Sequence, residues 1–134
     1  MTVAPEVVLG RGSSALRLEV VEHSAEQAAL EVRVAVRGFT AAAACDVAVA
    51  ELRAWHEAVA VLHATLGGRA VLSTPAVELS LTGDGRGGVT AEAVLDSETG
   101  WGDGERAVLR ATLPPLDQTD LPPLLALLHA VTGS

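Results

Sequence analysis

The side chains able to do chemistry in this 134-residue chain are few and scattered. Cys45 is the only cysteine, so no internal disulfide forms. A thiol becomes a nucleophile when a neighbouring base or cation stabilises its thiolate. Cys45 lies in an alanine run beside Asp46, whose carboxylate works against the thiolate, so it is expected to be a buried structural residue. His56 and His63 stand two helical turns apart, with backbones roughly 10 Å from each other, too far for one ion to be held comfortably. His23 and His129 are isolated, and no Cys-x-x-Cys, His-x-His or His-Glu-x-x-His occurs. No metal site is expected.

Gly83-x-Gly85-x-x-Gly88 matches the spacing of a dinucleotide-binding loop. That loop works by leading a strand into a helix whose N-terminus meets the pyrophosphate. Here a strand pattern follows, so the segment is expected to be a hairpin turn, and no cofactor is expected. No Gly-x-Ser-x-Gly elbow is present for a serine nucleophile. A glycosidase-type carboxylate pair meets in space and leaves no sequence signature. The scarcity of aromatic side chains (Phe39, Trp55 and Trp101) argues against the ring stacking that sugar sites often use. The chain is therefore expected not to be an enzyme.

Binding chemistry is better represented. Asp96, Glu98, Trp101, Asp103 and Glu105 fall in one Gly-rich acidic stretch. Tryptophan is enriched among interface anchors, which makes this stretch a candidate partner-binding loop. Packing of Trp101 on the edge of the core is the alternative. Trp55 lies on a helical apolar stripe and is expected in the core.

The elements that must position these residues follow from hydrophobic periodicity. Residues 1–6 are expected to be loose, and Val7-Val8-Leu9 a short strand. Leu16, Leu18 and Val20, and then Leu30, Val32, Val34 and Val36, alternate with polar residues at the period of a half-buried strand. Ala41–Val47 is ambiguous, because alanine favours helix while Phe39-Thr40 and the neighbouring pattern favour a strand. Leu52, Trp55, Val59, Leu62 and Leu66 recur at helical spacing, predicting a helix over about 49–66 that Gly67-Gly68 stops. Arg53 and Glu57 are spaced to pair along it. Further alternating runs occupy Arg69–Thr74, Val77–Thr82, Val89–Asp96 and Ala107–Leu113.

The chain closes with Leu116-Asp117-Gln118-Thr119-Asp120-Leu121-Pro122-Pro123-Leu124-Leu125. A helix is expected over about 120–132, with Thr119 or Asp120 as its cap and Pro122-Pro123 in its first turn. Leu121, Leu124, Leu125, Leu128 and Val131 form its apolar face, and Leu127 lies off that face, open to exposure. No internal repeat is apparent. The predicted fold is a single α+β domain over 1–134, an antiparallel sheet of about 6–8 strands with two helices on one face. The other face would carry Arg17, Glu19, Glu31, Arg33, Arg37, Glu78, Glu92 and Arg110, with cross-strand pairs of opposite charge.

The formal net charge of −8 disfavours nucleic acid and anionic membrane as partners. It would attract a basic protein. No signal segment is visible and no apolar run is long enough to span a bilayer, so a cytoplasmic location is expected. Lys, Asn, Ile and Tyr are absent. Their codons are AT-rich, which points to a high-GC bacterial genome.

Taken together, several short motifs resemble the WapI-type immunity family and related actinobacterial proteins. They are Gly38-Phe39 after a Val-rich strand, Glu51-Leu52 and Trp55 on a helix followed by Gly67-Gly68, and the hairpin from Leu79 to Val89. Leu113 and then Asp117-Gln118-Thr119-x-Leu121 complete the pattern. The resemblance spans roughly residues 16–132. It implies a non-catalytic protein that neutralises a cognate toxin by occlusion, with a basic toxin domain as partner. An interaction module or homodimer without a toxin partner is the alternative.

Overall fold

The computed structural model describes residues 5–11, 13–98 and 106–133. Strands β1 (Glu6–Arg11), β2 (Ser14–His23), β3 (Gln27–Val36) and β4 (Phe39–Ala48) form a four-stranded sheet in chain order, and helix α1 (Val49–Thr65) follows. A second sheet then forms from β5 (Gly67–Ser73), β6 (Val77–Asp84), β7 (Gly88–Glu98) and β8 (Arg106–Thr112), again in chain order. The two-residue β9 (Leu116–Asp117) pairs with the start of β7, and helix α2 (Leu121–Thr132) closes the chain. Every pairing is antiparallel.

The α+β architecture expected from the sequence is therefore present, with its strands divided between two sheets. The order of four strands and a helix occurs twice, although the two halves share no apparent sequence repeat. Glu6, expected in the loose segment, is the first residue of β1.

The alternation of side chains builds one core between the layers. Leu16, Leu18 and Val20 of β2 and Leu30, Val32 and Val34 of β3 are buried and join Leu79, Leu81, Ala91 and Ala93 of the second sheet in a single cluster. Helix α1 adds Val49, Leu52, Trp55, Val59 and Leu62. It packs on β5 and on α2. The alanine run is a strand because all ten residues of β4 pair with β3, from Gln27↔Ala48 to Val36↔Phe39. That ladder overrides the helical preference of alanine. Small side chains also suit β4, which runs close to β6 and β7. Gly38 lies in a two-residue hairpin turn with Arg37 (φ 85° and 47°), the left-handed pair that matches strand twist. Arg37 therefore belongs to the turn rather than to the sheet face.

The ends of the helices differ in detail from the sequence expectation. Leu66, not a glycine, takes the left-handed position after α1 (φ 64°), and its N–H donates to the Leu62 carbonyl oxygen. The reason lies in the neighbouring hairpin: the Leu66 carbonyl oxygen accepts the Gly85 N–H at 2.8 Å, which draws this junction onto β6. Asp120 stands at the N-cap of α2 as expected but makes no side-chain cap there, and the capping side chain is that of Asp117, at the head of a 3-10 turn (Gln118–Asp120) that leads into α2. Asp117 accepts the Thr119 N–H at 2.6 Å, while the Asp120 carboxylate accepts the Asp117 N–H at 2.9 Å. Leu127 is buried, contrary to expectation, because α2 is covered over a wide arc that includes Leu121, Leu124, Leu127, Leu128 and Val131. The Arg53 guanidinium donates to the Thr132 carbonyl oxygen at 3.2 Å, tying α1 to the end of α2.

Gly83 has no room for a side chain. A Cβ there would stand 2.5 Å from the Leu66 carbonyl oxygen, whereas at Gly67 the nearest atom is 3.9 Å away. Gly83→Ala is expected to destabilise the fold by about 1–3 kcal/mol, with Gly67→Ala within about 0.5 kcal/mol of the parent. Urea unfolding of the two variants checks this. Equal midpoints would show that the α1–β5 junction moves away freely.

Candidate binding surface

The acidic stretch singled out in the sequence is only partly described. Asp96 and Glu98 belong to β7, whereas Trp101, Asp103 and Glu105 lie outside the described residues. Asp96 is half-buried, and its N–H donates to the Ala76 carbonyl oxygen at 2.8 Å. The backbone ladder of β7 and β8 continues to the Glu98↔Arg106 pair. The acidic connection thus starts and ends on two paired strands.

The exposed face of the four-stranded sheet carries an order that the sequence did not reveal. Residues directly opposite one another form rows across the strands. One row is Glu6↔Glu19↔Glu31↔Ala44, and the next is Val8↔Arg17↔Arg33↔Ala42. The expected opposite-charge partners are therefore like-charge neighbours: carboxylates face carboxylates and guanidiniums face guanidiniums. Such pairs are unfavourable by themselves. Relief comes from the adjacent row. Arg17 reaches diagonally to Glu6, with Nε–Oε2 at 3.4 Å, and Arg33 Nε donates to Glu31 Oε1 on its own strand at 2.6 Å. In the second sheet Arg110 and Glu92 also pair diagonally, at 3.6 Å. These pairs are exposed and add little stability each.

Beyond the basic row the face becomes small and apolar, with Gly10↔Ala15↔Ala35↔Thr40 in register. An open cavity of about 580 Å³ lies over this region, lined by Val8, Ala15, Arg17, Arg33, Ala35 and Ala42 among others. Pockets of roughly 300–1,000 Å³ are typical of ligand sites. A smaller cavity of about 220 Å³ sits where the β3–β4 hairpin meets β8, between Val36, Arg37, Phe39, Leu109 and Arg110. Phe39 is 73% exposed at that hairpin tip, the most exposed of the large apolar side chains among the described residues.

The remaining chemical candidates are placed as follows. No group of three or more His, Cys, Asp or Glu able to hold a metal ion occurs among the described residues. The Gly83–Gly88 segment is the β6–β7 hairpin, held by Asp84 Oδ1 accepting the Arg86 and Gly88 N–H groups at 2.7 and 3.0 Å. Trp55 is buried as expected, and its indole Nε1 has no hydrogen-bond partner among the described residues. No helix among the described residues is long and apolar enough to cross a membrane.

Cys45 is half-buried rather than enclosed, because β4 is an edge strand of its sheet. Burial pushes its thiol pKa up, the Asp46 carboxylate adds to this, and a hydrogen bond with Thr74 partly opposes both. The neutral thiol is favoured in the fold, so this group's contribution to stability is full at neutral pH and is lost as pH rises through the thiol range. Cys45 is expected to react with iodoacetamide more slowly than a free cysteine at neutral pH, with its pH–rate midpoint above that of the unfolded chain. Thiol-alkylation kinetics on folded and urea-unfolded protein test this, and a lower midpoint in the folded state would contradict it.

No protein-family model matches the chain. No curated protein matches it either. Among solved structures the fold is similar to a chain of the Trypanosoma bruciei MRP1/MRP2 crystal structures, with a TM-score of 0.50 and 12% sequence identity. The likeness covers 99% of this chain and 88% of that one. At that identity it is a likeness of fold alone.

Proposed function

We propose that this is a non-catalytic binding protein that neutralises a basic protein partner by covering it, in the manner of an immunity protein acting on its toxin. The observation that carries this reading is the frame of the acidic stretch. The Glu98↔Arg106 pair closes a ladder seven residue pairs long, so the acidic stretch leaves the sheet from the end of a paired strand. A backbone held in a ladder on either side lowers the ordering cost of binding. The net charge of −8 supports the same reading, because complementary fields steer a basic partner to its site and raise the association rate. The resemblance to WapI-type immunity proteins supplies the kind of partner, a cognate toxin domain, and the chain's acidity favours a basic one.

The test is a comparison of two baits in a lysate of the source organism, the parent protein and a variant carrying Asp96→Asn, Glu98→Gln, Asp103→Asn and Glu105→Gln. The parent is expected to retain one stoichiometric protein with a basic toxin domain, better at low salt than at high salt. The variant is expected to retain it at least about tenfold less well. Equal retention by the two baits would remove the acidic stretch from the interface, and recovery of the bait alone would overturn the reading.

A further inference from the structure

The charged rows on the four-stranded sheet have a geometric property independent of any toxin partner: they are complementary to themselves. We propose that this face pairs with the same face of a second copy of the chain, about a twofold axis that lies in the interface and runs parallel to the rows, between the acidic and the basic one. Rotation about that axis keeps each strand facing its own equivalent and exchanges the rows. Glu19 of one copy then faces Arg17 of the other, and Glu31 faces Arg33. The twofold repeats both pairings, so four ion pairs cross the interface. An isologous interface requires such self-complementarity.

On β3 and β4 the rows further out agree with the same axis. Ala35 lies in the first row beyond the arginines, and Ala29 in the first row beyond the glutamates, so the two exchange. Thr40 and Asp46 flank them on β4 and exchange likewise, a hydroxyl donor meeting a carboxylate. At the centre Ala42 faces Ala44. These exposed alanines have low strand preference and make no core contact that would demand them. Their small size lets two sheets approach, over a region that is already an open cavity.

Size and competition also favour the face. Four strands about 4.8 Å apart, three of ten residues and β1 of six, at about 3.3 Å per residue give a surface of roughly 600 Å². Stable complexes bury about 800 Å² per partner, so a reversible dimer is the expected product. The strands of the two copies would align to within about 30°, as in packed antiparallel sheets. Pairing through the β8 edge is less suitable. An antiparallel self-match centred on Leu109 brings the Arg110 side chains of both copies to one side, and charged residues on an edge strand oppose such pairing.

Sedimentation equilibrium from micromolar to millimolar concentration provides the test, with two charge-swapped variants. Glu19→Arg with Glu31→Arg makes the face basic, and Arg17→Glu with Arg33→Glu makes it acidic. The parent is expected to pass from its 13.7 kDa monomer to twice that mass. Each variant alone is expected to stay monomeric, and an equimolar mixture of the two to recover the doubled mass. A parent that stays monomeric throughout overturns the proposal, as does a dimer that either variant preserves or a mixture that does not associate. If a variant fails to fold by circular dichroism, amide chemical shifts of the parent on dilution decide. Changes centred on Arg17, Arg33, Ala35 and Ala42 uphold the face, and changes elsewhere overturn it.

Discussion

The register of β2 against β3 is the constraint on which the rest depends. Leu16, Leu18 and Val20 point inward together with Leu30, Val32 and Val34, and the observed register sets all three pairs abreast. A slip of one residue would turn one strand's whole apolar set to solvent. Once the register that sets all three apolar pairs abreast is adopted, the outer pairs follow from it. Glu19 must stand beside Glu31, and Arg17 beside Arg33, whatever the electrostatic cost. The apolar burial behind each strand, worth about 1.5–3 kcal/mol per fully buried side chain, outweighs the few tenths that an exposed like-charge pair costs. The charge rows are thus tolerated by the core, and the diagonal and same-strand pairs of Arg17 and Arg33 offset them locally.

A second close approach joins the two halves. The junction after α1 is drawn onto the β6–β7 hairpin by the Leu66 carbonyl oxygen and the Gly85 N–H. That contact requires a left-handed Leu66 and a Gly83 without Cβ. A left-handed backbone costs a residue such as leucine roughly 1–2 kcal/mol. The cost is sustained because α1 has already spent its other face on β5 and α2. Trp55 is a similar case, since its buried ring carries an indole donor, Nε1, that has no hydrogen-bond partner among the described residues.

Much of the fold was legible in the sequence because periodicity reports which face of an element is buried. The runs at Leu16–Val20 and Leu30–Val36 are strands, and the stripe from Leu52 to Leu62 is a helix. Even the alanine-rich β4 carried its signal in Phe39-Thr40. Periodicity does not report partners. It could not show that the strands divide into two sheets, that four strands and a helix recur, or that Leu127 is covered. Those depend on contacts between residues distant in the chain. The acidic stretch at 96–105 was visible as composition, whereas the rows on the sheet were not. Their meaning appears only when Glu6, Glu19 and Glu31, widely separated in sequence, are brought abreast by the ladder.

The two proposed binding surfaces would respond differently to the charge of the whole molecule. A basic partner approaching the acidic sheet end is attracted at long range, and salt screens that attraction over a Debye length of about 8–10 Å. Two copies of a chain carrying −8 repel one another at long range and attract only where the rows touch. Salt screens the distant repulsion first, because pairs that become partly buried at contact are screened less. Added salt therefore weakens association with a basic partner throughout, whereas self-association should rise before it falls. The two surfaces lie on different sheets. A face-paired dimer would display two acidic sheet ends and could hold two partners, or one partner with two sites, at the higher effective concentration that linkage provides.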